Sequence, residues 1–249
     1  MIAKRDKIIE YLNEYLKVKD FQDYCHNGLQ IEGKENVAKI VTGVTLSIRL
    51  IEEALKRNAD MIVVHHGFFL KDIPSPLQIK GLYKERIKAL LLNDINLAGY
   101  HRPLDAHPVI GNNISLCRLF DLRNCKPFDV GFVGILDKET DILEFKKIID
   151  SKLNIKSLLL FSGKKKIKYV GIISGGSSPD FEQAIENSAD LLIGGDIREE
   201  VVRKLEEANF NYINAGHYNT EKLGIQNLGK LIEKKFKIKA EFVDVPCEV

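Results

Sequence analysis

The sequence predicts an α/β protein with largely parallel or mixed sheets. Short apolar runs of strand length alternate with segments of helical periodicity along the chain. With 249 residues, 45% of them hydrophobic, the chain can bury a sizeable core in one large domain or two small ones. A faint internal repeat is a third indication. The alternation favours parallel pairing, since helices then connect neighbouring strands.

Each element follows from its own apolar spacing. In the first half, helical spacing covers 8–16, 50–57 and 86–92, and apolar runs predict strands at 40–44, 61–64 and 95–99. In the second half, strands are predicted at 132–136, 157–161, 169–173, 191–193 and 212–214, and helices at 142–149, 181–186, 199–207 and 223–236. Both halves therefore show the same alternation of strands and helices.

The repeat relates residues 52–60 to residues 182–190, which lie 130 positions further on. Four of the nine positions are identical, and both blocks lead into an apolar strand. The shared composition of helix–strand units explains this similarity as well as duplication does. If the repeat is real, the copies differ at the strand end, because His65 and His66 of the first correspond to Gly195 and Asp196 of the second.

Charge and composition exclude several classes of protein. The net charge of +2 gives no global electrostatic case for nucleic acid or membrane binding. No apolar stretch approaches the roughly 20 residues that span a bilayer, and residues 1–7 lack the apolar core of a signal peptide. The four cysteines show no close pairing spacing such as C-x-x-C. We therefore expect a soluble cytoplasmic protein with free thiols.

Adjacent histidines form the most informative feature of the chain. His65 and His66 close the buried strand predicted at 61–64, and Gly67 follows. Neighbouring side chains of a regular strand point to opposite faces, but Gly67 allows the chain to bend. The ends of parallel strands are also where open α/β sheets bind ligands. We expect both rings to converge on one crevice, each binding a different metal ion.

A second cluster of ionisable residues lies at 100–108, after the strand predicted at 95–99. Its two prolines, Pro103 and Pro108, predict a loop rather than a helix. Asp105 stands between His101 and His107, a donor set that suits zinc, iron or manganese. A rigid turn carrying surface histidines explains the same pattern equally well.

The third cluster, at 214–221, joins the last predicted strand to the last long helix. His217 and Glu221 are four residues apart, which places them on one side of a helical turn. Alternatively, Asn219 caps this helix and Glu221 only favours the helix dipole.

Taken together, the three clusters offer more donors than one tetrahedral ion needs. All of them follow predicted strands, so a parallel sheet would bring them to one edge. The mixture of nitrogen and oxygen donors without thiolate favours a hydrolytic over a structural site, and a pair of divalent ions uses all of them. The donors are His65, His66, Asp105, His217 and Glu221.

Four motifs carry a resemblance that covers the entire chain. Asn27-Gly28-Leu29-Gln30, the stretch 43–69 with His65-His66-Gly67, the stretch 101–113, and the stretch 216–221 resemble, in the same order, the Nif-three-like metal-binding family. The name GTP cyclohydrolase I, type II, is widely used for that family. The resemblance implies two intertwined, duplicated α/β halves, here 1–126 and 127–249, with the C-terminal segment completing the metal site. It also implies a dinuclear centre held by the five donors above, and a toroidal homohexamer.

The function implied by the resemblance is hydrolysis of a nucleotide or a related small molecule, of the GTP cyclohydrolase type. Two divalent ions (zinc, iron, manganese or magnesium) are expected, with His101 or His107 either moving a proton or only serving the loop. Gly175 and Gly176 fit a phosphate-binding turn or a plain turn. The alternative class is a ring-shaped DNA-binding protein, for single or double strands, that uses lysine-rich runs at 164–168 and 234–239. Such runs are also typical of solvated helix ends.

Overall fold

The computed structural model of the protein describes residues 1–68 and 78–247. Phe69, which ends the second motif of the resemblance, lies outside these residues. The helices are Arg5–Tyr15 (α1), Ile48–Lys56 (α2), Gly81–Leu92 (α3), Arg102–Ala106 (α4), Asn112–Leu119 (α5), Ile142–Leu153 (α6), Phe181–Glu186 (α7), Glu199–Ala208 (α8) and His217–Phe236 (α9). The strands are Ala3–Lys4 (β1), Gly28–Ile31 (β2), Asn36–Val37 (β3), Lys39–Thr45 (β4), Met61–His66 (β5), Asn96–Gly99 (β6), Arg123–Phe128 (β7), Gly131–Asp141 (β8), Leu158–Leu160 (β9), Lys166–Ile172 (β10), Leu191–Gly194 (β11), Asn211–Asn214 (β12) and Lys239–Phe242 (β13).

The chain divides into two compact units, each with a mixed sheet. Unit 1 comprises Met1–Leu104 and Ile225–Val245, and unit 2 comprises Asp105–Gly224 and Pro246–Val249. In unit 1 the strand order is β13-β4-β5-β6-β2, with parallel pairing except between β2 and β6. An apolar core of the α2, β5 and β6 side chains, including Leu50, Ile62 and Leu97, supports this sheet.

The sheet of unit 2 has the order β7-β8-β10-β11-β12-β9. Its central strands β10, β11 and β12 are parallel, whereas β7, β8 and β9 are added antiparallel. Helices α5 and α6 contribute Leu116 and Phe145 to a core that also contains Ile193 of β11. The α/β class with mixed sheets predicted from the sequence is confirmed.

The two units repeat one hydrogen-bond network at the start of their parallel strands. Asp60 accepts from two consecutive backbone N–H groups, those of residues 38 and 39, and from the Lys34 ammonium at 2.9 Å. Asp190, 130 positions further on, accepts from the N–H groups of residues 168 and 169 and from the Lys164 ammonium at 2.6 Å. Each aspartate thus ties the residues just before the parallel pairing of β4 or β10 to a lysine that precedes them.

An asparagine completes the network in each unit. Asn96 donates to the carbonyl of Lys34 at 2.8 Å and accepts from a glycine N–H, that of residue 33, at 2.8 Å. Asn211 donates to the carbonyl of Lys164 and accepts from the N–H of residue 163, also at 2.8 Å each. These matching contacts support duplication, which we retain as a proposal for the origin of halves 1–126 and 127–249.

Both aspartates should contribute similarly to stability. Asp60→Ala and Asp190→Ala each leave two backbone N–H groups without their acceptor, so each should lower the free energy of unfolding by about 1–3 kcal/mol. Chemical denaturation of the single variants measures this. Asp137, whose side chain is 72% exposed, provides the control Asp137→Ala, with an expected change within about 0.5 kcal/mol. A loss confined to one aspartate would show that the repeated contacts are not energetically equivalent.

Several predicted elements differ from the structure. The prediction of a loop through 100–108 is wrong, because Arg102–Ala106 forms the short helix α4. Pro103 stands in its first turn, where the missing N–H needs no partner. The helix Asn112–Leu119 was not predicted, and strand β5 extends past its predicted end at Val64 to include both histidines. In the part of the chain described by the structure, no helix has the length and apolarity to cross a bilayer.

Candidate metal centre

The end of strand β5 places two imidazole rings side by side. His65 is 0% exposed and His66 is 8% exposed, and their ring centroids lie 4.6 Å apart. The strand continues to His66 because this residue still pairs with Thr45 of the parallel neighbour β4. The predicted convergence of both rings is therefore present, although they belong to one continuous strand.

Hydrogen bonds fix the orientation of both rings. His65 Nδ1 lies 2.9 Å from the carbonyl oxygen of Tyr100, and His66 Nδ1 lies 3.0 Å from the hydroxyl of Thr45. Histidines that bind metals commonly use their second ring nitrogen in this way, which fixes the tautomer and makes Nε2 the coordinating atom. These contacts are the support expected around metal ligands.

A third buried imidazole, that of His101, joins the pair in unit 1. Its ring centroid lies 5.1 Å from that of His65 and 5.5 Å from that of His66. One nitrogen from each ring lies within 4.8 Å of the others. Three buried nitrogen donors at such distances could hold a metal ion.

His101 is oriented by Asp23, which the sequence analysis did not identify. Its Nδ1 lies 2.9 Å from Asp23 Oδ1, and both side chains are at least nine-tenths buried. Burial raises the pKa of Asp23, but the hydrogen bond and charge of His101, with further hydrogen bonds from Asn27 and Cys25, outweigh it and lower the pKa to about 2. Asp23 is therefore a carboxylate at neutral pH and accepts from the ring.

The motif at 27–30 provides the frame for this cluster. The side-chain amide of Asn27 accepts from the backbone N–H of His101 at 2.7 Å and donates to Asp23 at 2.9 Å. Gln30 accepts from the N–H of Phe68 at 2.7 Å, and a Cβ at Gly67 would lie 2.2 Å from its side-chain oxygen. Gly67 is thus required for close packing against Gln30. The motif positions the ends of β5 and β6 rather than supplying ligands.

Asp105, in unit 2, is a buried carboxylate with side-chain donors around it. It is 6% exposed, and its Oδ1 accepts from Asn112 Nδ2 at 2.8 Å and from Ser174 Oγ at 3.1 Å. Asn112 also accepts from the N–H of Gly224 at 2.7 Å, where a Cβ would lie 2.6 Å from the amide oxygen. The motif at 111–113 therefore holds Asp105 against helix α9.

His217 and Glu221 form a pair in the first turns of α9, also in unit 2. His217 Nε2 lies 3.1 Å from Glu221 Oε2, and Glu221 is 3% exposed. The helix begins at His217, so Asn219 lies inside it and the alternative of Asn219 as its cap is wrong. Glu221 also lies beyond the first turn, which weakens the interpretation as a dipole partner only. A partly exposed imidazole paired with a buried carboxylate is suited to binding a cation.

The loop after β10 is shaped around this pair. Gly175 has φ +67°, and a Cβ there would lie 2.0 Å from Glu221 Oε1 and 3.1 Å from His217 Nε2. Its N–H donates at 3.0 Å to Thr220 Oγ1, which ties the loop to α9. Helix α7 after this loop has only six residues. The turn therefore packs against the carboxylate of Glu221, which favours the plain-turn interpretation over a phosphate cradle.

The five predicted donors belong to two sheets, not one. His65 and His66 end β5 of unit 1, whereas His217 and Glu221 follow β12 of unit 2. The expectation that one parallel sheet brings all three clusters to a single edge is wrong, because each half builds its own sheet.

His107 makes hydrogen bonds within its own loop. Its Nδ1 accepts from the backbone N–H groups of Val109 and Ile110 at 3.1 and 3.2 Å.

Fold and site together define a mixed α/β protein in which buried histidine, aspartate and glutamate residues could hold a metal ion. The family model of Duf34/NIF3 (NGG1p interacting factor 3) matches residues 3–247, and the chain belongs to this family. It is similar to the GTP cyclohydrolase 1 type 2 homolog of Haemophilus influenzae, with 40% identity over 95% of this chain and 96% of the relative. The homolog of the same name from Pyrococcus abyssi is 37% identical over 98% of both chains.

A solved structure supports the fold independently. A protein from Thermus thermophilus superposes with a TM-score of 0.91 at 31% identity, covering 99% of this chain and all of the other. The resemblance recognised from the four motifs is therefore confirmed.

Proposed function

We propose that this protein is a dinuclear metal-dependent hydrolase acting on a nucleotide or a related small molecule. Its ligands are five residues on the three segments described above, and its ions are divalent, from the set zinc, iron, manganese and magnesium. The name that the relatives carry supports activity of the GTP cyclohydrolase type. The proposed ligands are His65, His66, Asp105, His217 and Glu221.

The observation that carries the proposal is the hydrogen-bond support around three of the five donors, His65, His66 and Asp105. Tyr100 and Thr45 hold the imidazoles of β5, and Asn112 and Ser174 hold the Asp105 carboxylate. Surface histidines and carboxylates do not need such buried partners, whereas metal ligands use them to fix orientation. Nitrogen-rich donor sets favour zinc, iron or manganese over magnesium, which prefers oxygen ligands and retained waters.

The chain's own residues prepare the site for hydrolysis. When bound, divalent ions polarise the attacked carbon and make water a stronger nucleophile at neutral pH. Asp23 accepts from Nδ1 of His101 and so presents the opposite nitrogen of this ring beside His65 and His66. In that tautomer His101 can accept a proton from the nucleophile or return it to the leaving group.

Assembly is part of the proposal. The family resemblance supports a homohexameric ring in the cytoplasm, with the centre open to small solutes. Light scattering should then give about six times the subunit mass of 28.2 kDa. A stable monomer with full metal content and activity would exclude the ring as a functional requirement.

The basic runs do not favour the DNA-binding alternative. Lys164 pairs with the buried Asp190 carboxylate at 2.6 Å, and Lys165 lies 3.8 Å from Asp141. Lys235 stacks over the Tyr11 ring at 4.9 Å. Lysines engaged in this way offer less charge for phosphate contacts, so DNA binding is kept as an outcome of the test.

The test is turnover of GTP and a set of nucleotides by protein reloaded with each metal. We expect metal-dependent product formation, with formate release if the imidazole ring is opened, and its loss in His65→Ala. Activity should persist at moderate salt, because metal ligation is not screened as surface lysines are. Two results together would favour a DNA-binding protein over a hydrolase. Turnover would be absent with every metal, and DNA binding would persist in His65→Ala but vanish when residues 164–166 are neutralised.

A further inference from the structure

Two cysteines of unit 2 meet although they belong to different elements. Cys117, near the end of helix α5, is 0% exposed, whereas Cys125, in strand β7, is only partly buried. Cys117 belongs to the apolar core of this unit, and Cys125 packs against that core. The two thiols are in hydrogen-bonding contact. Their spacing is wider than C-x-x-C, so the sequence alone did not indicate this pair.

The backbone of β7 is bulged where Cys125 lies. The pairing of β7 with β8 shifts its register between residues 123 and 126, so that Asn124 and Cys125 together stand opposite Gly134 alone. Asn124 has a positive φ of 50°, which a non-glycine residue adopts at a cost. A bulge of this kind bends the strand and redirects a side chain. Here the bulge accompanies the contact of Cys125 with Cys117.

Close packing around the bulge holds the two thiols in place. A Cβ at Gly134 would lie 2.9 Å from Cys125 Sγ and 2.7 Å from Leu122 Cβ, so glycine leaves the space that the sulfur uses. Cys125 Sγ lies 3.5 Å from the carbonyl oxygen of Leu122. The N–H of Leu122 in turn donates to the carbonyl of Cys117 at 2.9 Å. The connection between the two cysteines is therefore short and tightly folded.

The two thiols differ in reactivity. The hydrogen bond from Cys117 lowers the pKa of the Cys125 thiol; burial opposes this effect, and the charge of Arg118 adds to it. The same hydrogen bond, together with burial, raises the pKa of Cys117. Since the thiolate is the nucleophile, the more accessible Cys125 is suited to react first. Cys117 keeps its proton and stands ready as the second thiol.

We propose that Cys117 and Cys125 form a reversible disulfide when the protein meets a peroxide, which makes the pair a site of oxidative modification that uses none of the proposed metal ligands. The Cys125 thiolate attacks one peroxide oxygen and the O–O bond breaks. The departing hydroxide takes up the proton that Cys125 had released and becomes water. Cys125 is then a sulfenic acid.

The second step closes the disulfide. The sulfur of Cys117 attacks the sulfur of the Cys125 sulfenic acid, so that the S–S bond forms and the S–O bond breaks. The leaving oxygen takes the proton of Cys117 and departs as a second water. Each cysteine sulfur has lost one electron overall, and the peroxide has gained two.

The helix that this bond would tether also supports a proposed metal ligand. At its other end, α5 supplies Asn112, which donates to Asp105 at 2.8 Å. The neighbouring Asn113 accepts from the N–H of Ser174 at 2.7 Å. The disulfide would therefore join the helix that holds Asp105 to strand β7. Its formation does not require a metal ion, so it can be tested independently of the hydrolase.

The experiment exposes reduced full-length protein to a small excess of hydrogen peroxide near neutral pH. Remaining thiols are alkylated at successive times, and peptides are identified by mass spectrometry. Trypsin cleaves after Arg118 and Arg123, so the two cysteines fall in separate peptides that only a disulfide joins. The joined peptides should form at least about tenfold faster than the exposed Cys247 is oxidised, because thiolate character outweighs exposure. A dithiol reductant should restore both thiols.

Three variants assign the steps. Cys117→Ser should stop the reaction at the sulfenic acid of Cys125, which a dimedone-type reagent traps. Cys125→Ser should leave the buried Cys117 reduced. Cys247→Ser removes a thiol elsewhere and is the matched control, so the disulfide should form at the wild-type rate. Circular dichroism checks each fold, and Cys117→Ala replaces Cys117→Ser if the hydroxyl is not tolerated in the core.

Three results would overturn the proposal. The first is that Cys117 and Cys125 of the folded wild type stay reduced while Cys247 is oxidised. The second is that sulfenic acid accumulates on Cys125 of the wild type without formation of the joined peptides. The third is that Cys117 is oxidised as fast in Cys125→Ser as in the wild type, which would show that Cys125 is not the thiol that reacts first.

Discussion

Gly175→Ala should abolish retention of the metal ions while the protein remains folded. Its Cβ would stand 2.0 Å from Glu221 Oε1 and 3.1 Å from His217 Nε2, so these side chains must move or the loop must shift. The positive φ adds about 1–2 kcal/mol of backbone strain for alanine. Metal content after dialysis, measured by elemental analysis, should fall at least tenfold, and circular dichroism should report an intact fold.

Gly81→Ala is the matched control for the strain alone. Gly81 also has a positive φ, +57°, but a Cβ there meets nothing within 4 Å. Gly81→Ala should therefore lower the free energy of unfolding through backbone strain, without loss of metal. Equal metal retention in the two variants would show that the packing of Gly175 against Glu221 does not matter for the centre.

Glu221→Gln should weaken metal retention at least about a hundredfold, a larger loss than the 10–100-fold typical of groups that only support ligands. The amide keeps the shape of the buried side chain but removes the charge that faces His217 at 3.1 Å. A role limited to the helix dipole would give only about 0.3–1 kcal/mol of stability and no change in metal content. Equilibrium competition with a metal-binding dye measures the affinity, and thermal unfolding checks the fold.

Glu200→Gln controls for removing a carboxylate from the start of a helix. Glu200 is exposed in the first turn of α8, where it interacts favourably with the dipole. This variant should lose a fraction of a kcal/mol and keep its metal. If Glu221→Gln behaves like Glu200→Gln, Glu221 is not a ligand.

The sequence was informative where chemistry depends on residue type and local spacing. The apolar run before His65 predicted the buried strand, and the four-residue spacing of His217 and Glu221 predicted their contact. The α/β class followed from the alternation of elements, and Phe181–Glu186 was predicted to the residue. These features depend on contacts within a few positions along the chain.

The sequence could not show contacts between distant segments. Asp23 lies in a short polar stretch without any periodic pattern, yet it holds His101 from 78 positions away. Thr45 reaches His66 only because β4 and β5 pair in parallel register. Strand pairing and loop packing decide such contacts, so residues that orient the proposed metal ligands cannot be identified until the fold is known.

The proline-containing segment at 100–108 was misjudged for a related reason. Proline is incompatible with the interior of a helix, but Pro103 stands in the first turn of α4, where this objection does not apply. The end of strand β6 at Gly99 was predicted to the residue, so the error lies in the start of the helix that follows it. That boundary is the least certain feature of a sequence pattern.

The most direct test of the dinuclear centre is the metal stoichiometry of the purified protein. Metal-free protein would be reloaded separately with zinc, manganese and iron, freed of excess ion by gel filtration, and analysed for metal and protein together. We expect two ions per chain with at least one of these metals, and a lower number in His65→Ala. A reproducible value of one ion or none per chain with all three metals would contradict a dinuclear centre.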